Sequence, residues 1–263
     1  MRRPIGRGRG LPQGLPLRAI LPNAVTALAL CSGLTGIRFA VLGEWEKAAA
    51  MVLLAAVLDG LDGRIARFVR GESRFGAELD SLSDAIAFGV SPALILYLWS
   101  LVSLPRLGWV AALALAVCCA LRLARFNARI DVAEQPHKMA GFLTGVPAPA
   151  GAGLAFLPMY LWIWSGEPIF RDPRLVAPWV AVVAIAMVSS VATFSAGSLR
   201  LRRSVRFEAL VAIVLLGVAL VSLPWETLTV LAAAYALSLP FSIAAYQRVK
   251  RRARTGPALP PDA

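Results

Sequence analysis

Four aspartates, Asp59, Asp62, Asp80 and Asp84, stand in the string Asp59-Gly60-Leu61-Asp62-Gly63-Arg64-Ile65-Ala66-Arg67, eight further residues, then Gly76-x-x-x-Asp80-x-x-x-Asp84. They fall at the ends of two segments that otherwise read as membrane helices. An acidic side chain at the centre of such a helix costs about 2.5–3.5 kcal/mol on insertion scales. Four that lie close together also repel one another unless something positive sits between them. The economical reading is a divalent-metal site near the membrane surface. Oxygen donors with no His or Cys nearby suit Mg2+ or Mn2+ better than Zn2+. Two ions bridged by shared carboxylates make a clamp for phosphate oxygens. Four Asp exceed what one Mg2+ normally takes from protein, which leaves one as a base.

Helical periodicity places these residues on two facing walls. At 3.6 residues per turn, positions 59, 62, 63 and 66 share one face and read Asp, Asp, Gly, Ala. On the next helix, positions 76, 80, 84 and 87 read Gly, Asp, Asp, Ala. Each pair of carboxylates therefore adjoins positions with no side chain larger than a methyl, where a flat, bulky group can approach the backbone. Two rivals use the same carboxylates. One is an interfacial salt-bridge cluster with Arg64, Arg67 and Arg74, which balances charge but leaves the Gly and Ala positions unexplained. The other is a divalent-ion carrier.

The elements that hold the walls follow from composition. The chain of 263 residues is 58% hydrophobic and 16% charged, with a mean hydropathy of +0.69, values that belong to an integral membrane protein. Eight apolar runs approach the roughly 20 residues that cross a bilayer: 20–42, 48–69, 84–102, 109–126, 146–164, 176–194, 207–222 and 227–246. The expected fold is all-α, a polytopic membrane helical bundle. Residues 1–19 read as an N-terminal tail, 20–196 as the catalytic core, 197–247 as an added helix pair and 248–263 as a basic, disordered tail. The net charge of +12 is spread between apolar runs rather than gathered into a patch with interleaved aromatics, which argues against nucleic acid. Cys31, Cys118 and Cys119 lie inside apolar runs and read as packing residues.

With eight spans, 22 of the 27 Lys and Arg fall on the side that carries both tails and the Asp cluster. Arg38, Lys47, Arg106, Arg171 and Arg174 fall on the other. The positive-inside rule then puts both termini and the site in the cytoplasm. Most of the basic residues serve that asymmetry and attract anionic headgroups of the surrounding membrane lipids.

The string from Asp59 to Asp84 resembles the signature of the CDP-alcohol phosphatidyltransferases, Asp-x2-Asp-Gly-x2-Ala-Arg-x8-Gly-x3-Asp-x3-Asp, with each fixed position matched. The resemblance implies a six-helix core, a CDP-linked lipid donor, two divalent ions, transfer of the phosphatidyl group to an alcohol, and a homodimer. It implies that Asp59, Asp62 and Asp80 are metal ligands and that Asp84 is near or on the second ion and takes the acceptor's proton. Gly60, Gly63, Ala66 and Arg67 then hold the cytidine and diphosphate, and Gly76 gives a close approach on the facing helix.

Further strings resemble the membrane-bound phosphatidylserine synthases of bacteria. They are Leu21-Pro22-Asn23 with Thr26, Ser73-Arg74-Phe75-Gly76, Asp80-Ser81-Leu82-Ser83-Asp84, Phe88-Gly89-Val90-Ser91-Pro92, Arg122-Leu123-Ala124-Arg125-Phe126-Asn127 and Phe142-x-Thr144-Gly145-Val146-Pro147. That likeness covers roughly residues 20–150 and implies CDP-diacylglycerol and serine as substrates. A carboxylate-bearing acceptor calls for guanidinium donors. Arg122, Arg125 and Arg129 share a helix face, and Asn127 adds a donor and an acceptor. His137, the one histidine, reads as a bystander in a polar loop. Glycerol 3-phosphate, inositol phosphate and choline are the other acceptors the signature admits.

Overall fold

The computed structural model describes residues 17–69, 71, 73–128, 142–189, 192–194 and 206–255. Ten α-helices appear among them: α1 Leu17–Val41, α2 Trp45–Phe68, α3 Arg74–Asp84, α4 Ser91–Trp99, α5 Leu107–Asn127, α6 Ala148–Ala155, α7 Leu157–Ser165, α8 Pro173–Val188, α9 Arg206–Ser222 and α10 Pro224–Thr255. A π-helical stretch, Ala85–Val90, joins α3 to α4 in one rod, and α6 and α7 meet end to end at Phe156. Each of the eight expected spans thus has a helical counterpart. Ile20–Val41, Arg74–Trp99 and Leu107–Asn127 are long and apolar enough to cross a membrane. The helix carrying Asp59 and Asp62 is not among those three, and its charged end is the reason.

Three boundaries differ from expectation. The third rod begins at Arg74, not at residue 84, because the Ser73 hydroxyl caps it by accepting from the Gly76 backbone N–H at 3.0 Å. The sixth span stops at Val188, where the Ser189 hydroxyl turns back onto the Ala186 carbonyl. Ala192–Phe194 instead forms β2, paired antiparallel with β1, Phe142–Thr144, in a three-residue ladder. The last helix runs to Thr255, so the basic stretch expected in a disordered tail is helical that far. Its Gln, Lys, Arg and Ala residues favour helix.

Small residues set the packing, as is usual where lipid removes a hydrophobic drive between helices. A Cβ on Gly33 of α1 would lie 2.8 Å from the Ala87 Cα, and one on Gly36 would lie 3.0 Å from the Ala48 carbonyl. Between α6 and α7, Pro158 has no N–H to give the Leu154 carbonyl; the Trp179 indole N–H takes that role at 2.8 Å. The core closes over Phe88, Ile95, Trp99, Leu115, Phe156 and Met159, all buried.

One end of the bundle is gathered by Arg171. Its Nε donates to the Trp99 carbonyl at 2.9 Å, and its guanidinium lies 5.5 Å from the Trp45 ring centroid and 5.4 Å from that of Trp162. The links between α1 and α2, α4 and α5, and α7 and α8 therefore meet there. The carboxylates lie at the other end. Helix α10 packs along α7, α6 and β2, while α9 packs chiefly on α10.

Candidate active site

The C-terminal half of α2 carries Asp59 and Asp62, and α3 carries Asp80 and Asp84. One carboxylate oxygen from each of Asp59, Asp62 and Asp80 lies within 4.8 Å of the others. Asp84 stands beside this triad, its carboxyl within hydrogen-bonding reach of Asp59. Two bare carboxylates do not sustain such a contact, so a proton or a cation must accompany it. Among the described residues no salt bridge reaches any of the four. Arg67, one of the cations that a salt-bridge cluster would use, donates its Nε to the Gly63 carbonyl of its own helix at 3.0 Å. Among the described residues no ion pair offsets the charge of Asp59, Asp62 and Asp80, and the donor set fits a hard divalent cation.

Asp62 is held from α1. It is 5% exposed, and the Thr26 hydroxyl donates to its Oδ2 at 2.5 Å. The Thr26 carbonyl in turn accepts from the Ser83 hydroxyl at 3.2 Å, one residue before Asp84. One turn of α1 thus ties both acidic helices together. Thr26 figured in the sequence only as part of a resemblance; no spacing rule links residues 26 and 62.

Gly60 and Gly63 are exposed, and a Cβ on either would meet nothing within 4 Å. The face beside the carboxylates is therefore open along α2, with Ala66 half-buried and Arg67 exposed. Gly76 differs. A Cβ there would lie 2.7 Å from Asn23 Oδ1 and 3.1 Å from the Ser73 hydroxyl. Its close approach is to α1 and its own cap, a packing demand rather than an open ligand face.

The expected acceptor residues separate. The Arg125 guanidinium donates to the Val188 carbonyl at the end of α8, at 3.1 Å. Asn127 donates to the Ser81 hydroxyl at 2.9 Å, fastening α5 to α3. Arg122 alone of the three has a buried nitrogen without a hydrogen-bond partner, its Nε, and it lies within electrostatic range of Asp84. Arg129 and His137 lie outside the described residues. Gly145 has φ +76°, and a Cβ there would meet the Met187 and Ser189 carbonyls at 2.8 and 3.0 Å. It lets β1 turn under the end of α8.

Comparison with known proteins agrees with this arrangement. The family profile described as CDP-alcohol phosphatidyltransferase matches residues 19–193, and a second, CDP-alcohol phosphatidyltransferase 2, matches residues 205–240. The chain is 39% identical over 239 residues to a CDP-diacylglycerol–serine O-phosphatidyltransferase of Mycobacterium bovis, covering 91% of this chain and 82% of that one. A Helicobacter pylori protein of the same name is 33% identical over 175 residues, covering 65% of this chain and 70% of its own. One from Bacillus subtilis is 33% identical over 138 residues, 52% of this chain and 74% of that protein. With the signature intact on α2 and α3 and two thirds of its length matched by one profile, the chain belongs to the CDP-alcohol phosphatidyltransferase family.

Proposed function

We infer that this chain is a phosphatidylserine synthase, transferring the phosphatidyl group of CDP-diacylglycerol to L-serine and releasing CMP. The observation that carries the reading is the Asp59–Asp62–Asp80 triad, without an ion pair among the described residues and with Asp84 beside it, in a chain 39% identical to relatives of that activity.

Asp59, Asp62 and Asp80 would hold two divalent ions, Mg2+ or Mn2+, with Asp84 bordering the second; bound there, they supply charge neutralisation for the diphosphate and the departing CMP. Gly60, Gly63, Ala66 and Arg67 line the open face of α2, where the cytidine and diphosphate lie, and Gly76 keeps α3 close against α1. Asp84 accepts the proton of the serine hydroxyl. The hydroxyl oxygen bonds to the phosphorus that carries diacylglycerol as the bond from that phosphorus to the CMP oxygen breaks. No covalent enzyme intermediate is needed, since positioning and electrostatics suffice for phosphoryl-type transfer. Arg122 faces the serine carboxylate, a match of guanidinium to carboxylate. Arg125 and Asn127 act at one remove, fixing the end of α5.

The enzyme sits in the cytoplasmic membrane with both termini and the site on the cytoplasmic side, supported by the placement of its Lys and Arg. It works as a homodimer, as the family resemblance implies. Membranes containing the chain, given CDP-diacylglycerol and a panel of serine, glycerol 3-phosphate, inositol phosphate and choline, test the reading by CMP release. Release dependent on serine alone is expected. Release with a different alcohol reassigns the acceptor, and divalent-ion uptake without CMP release makes the chain a carrier.

A further inference from the structure

The rod made of α3, the π-helical stretch and α4 lies against α1 through residues spaced strictly by four: Ser83, Ala87, Ser91 and Ile95. The Ser83 hydroxyl donates to the Thr26 carbonyl at 3.2 Å. A Cβ on Gly33 would lie 2.8 Å from the Ala87 Cα and 3.2 Å from the Ser91 Oγ, and one on Gly36 would lie 3.4 Å from the Ile95 Cδ1. An α-helix does not hold such a line. Four residues turn it about 40° past a full circle, so three steps carry the last contact about 120° away from the first. The π-helical stretch offsets this drift, because a helix that closes five residues back fits more residues into each turn. Here the Ser91 backbone N–H closes onto the Ile86 carbonyl.

The sequence supplies a reason for the wide turn at this place. Pro92 stands buried at the start of α4. In a continuous α-helix its ring would press on the Phe88 carbonyl and leave that oxygen without an N–H. The α register is therefore disfavoured at this point, and the wider one replaces it from Ala85 to Val90. Below the turn the rod is fixed on two sides. Ala87, Ser91 and Ile95 pack on α1, and a Cβ on Gly89 would lie 3.0 Å from the Cys119 Cβ on α5. Above it stands Asp84, the residue from which the stretch starts. With the lower end held, the width of the turn decides the direction in which Asp84 leaves the rod.

We propose that Pro92 is a positioning residue for the reaction: by enforcing the π-helical turn it keeps Asp80 and Asp84 facing Asp59 and Asp62 while α4 stays packed on α1. This rests on the reading of Asp84 as the proton acceptor above.

Pro92→Ala restores an N–H and admits the α register. The kcat for CMP release should fall about 100-fold, as for a reacting group misplaced by about 1 Å. The KM for CDP-diacylglycerol should be unchanged, because the open face of α2 is untouched. Deleting Val90, an exposed residue of the stretch, from the Pro92→Ala chain should then restore most of the lost kcat. Ser83 and Ile95 become eleven residues apart, a span that an α-helix returns to within about 20° of one line. A mere loss of packing would not be mended by removing one more residue.

Binding of CDP-diacylglycerol verifies that each chain is folded. Deletion of Gly89 replaces that of Val90 if the first chain is not, and failure of both to fold overturns the proposal, since each restores the line. An unmoved kcat in Pro92→Ala, or a folded deletion that recovers nothing, overturns it as well. If Pro92→Ala does not fold by itself, a folded and active Pro92→Ala chain lacking Val90 supports the proposal, and an inactive one overturns it. Wild-type protein that releases no CMP with any of the four alcohols, or near-normal turnover in Asp84→Asn, overturns the reading of the site and this proposal together. Wild-type activity with an unmoved kcat in Pro92→Ala overturns this proposal alone.

Discussion

The Thr26 hydroxyl donates to Asp62 Oδ2 at 2.5 Å, and the same residue's carbonyl receives the Ser83 hydroxyl at 3.2 Å. A residue 36 positions away from Asp62 in sequence thereby sets the angle of that carboxylate and the height of α3 beside it. Groups that orient a metal ligand typically matter 10- to 100-fold in metal affinity or activity. Thr26→Val preserves shape and removes the donor. The divalent-ion concentration giving half-maximal CMP release should rise by about 10- to 100-fold, while Thr26→Ser stays near wild type. An unchanged ion requirement in the valine variant would count against Thr26 as the support of Asp62.

Asp84→Asn keeps the volume of the side chain and removes its ability to take a proton. Turnover should be abolished while CDP-diacylglycerol binding stays measurable, since the open face of α2 is untouched. Near-normal turnover in this variant removes Asp84 as the base.

Chelation addresses the triad as a whole. With no protein cation paired to Asp59, Asp62 or Asp80 among the described residues, removal of divalent ions should eliminate CMP release, and Mg2+ or Mn2+ should restore it. Persistent activity in excess chelator would mean that the carboxylates do not work through a metal.

Glycine at position 145 answers a different demand. Its φ of +76° is one that L side chains rarely adopt, and a Cβ would press on two carbonyls. Gly145→Ala should destabilise the protein by about 1–2 kcal/mol from the left-handed backbone alone. Thermal unfolding in detergent reads this directly, and an unchanged midpoint would show that β1 can leave α8 freely.

The legible part of this molecule was whatever is encoded locally. The 3.6-residue spacing pairs Asp59 with Asp62 on α2 and Asp80 with Asp84 on α3, and the few residues between the two helices keep the pairs at one end of the bundle. Span number followed from hydropathy, which is likewise a local property. What depended on long-range contact was hidden. Nothing near Thr26 announces Asp62, and nothing near Arg125 announces the Val188 carbonyl. Arg122, Arg125 and Asn127 look alike in sequence because helix spacing gives a face but not its neighbour. The end of α8 was missed for the opposite reason: residues 189–194 remain apolar enough to extend a span, while the Ser189 hydroxyl and the pairing of β1 with β2 end it.

That separation of Arg122 from Arg125 can be measured. Arg125 bonds the terminal carbonyl of α8, so Arg125→Gln should lower stability by about 1.5–3 kcal/mol, toward the lower end because the site is only partly buried. Its effects on the serine and CDP-diacylglycerol KM values should be similar, as the loss loosens the frame rather than one pocket. Asn127→Ala, which frees Ser81 from α5, should behave in the same way. Arg122→Gln should do the reverse: little change in unfolding midpoint, with the KM for serine raised about tenfold or more over that for CDP-diacylglycerol, as expected for losing a charge-assisted bond to a carboxylate. Its buried Nε has no partner to lose, which is why stability should be spared. A selective serine defect in Arg125→Gln, or a purely structural one in Arg122→Gln, would exchange the two assignments.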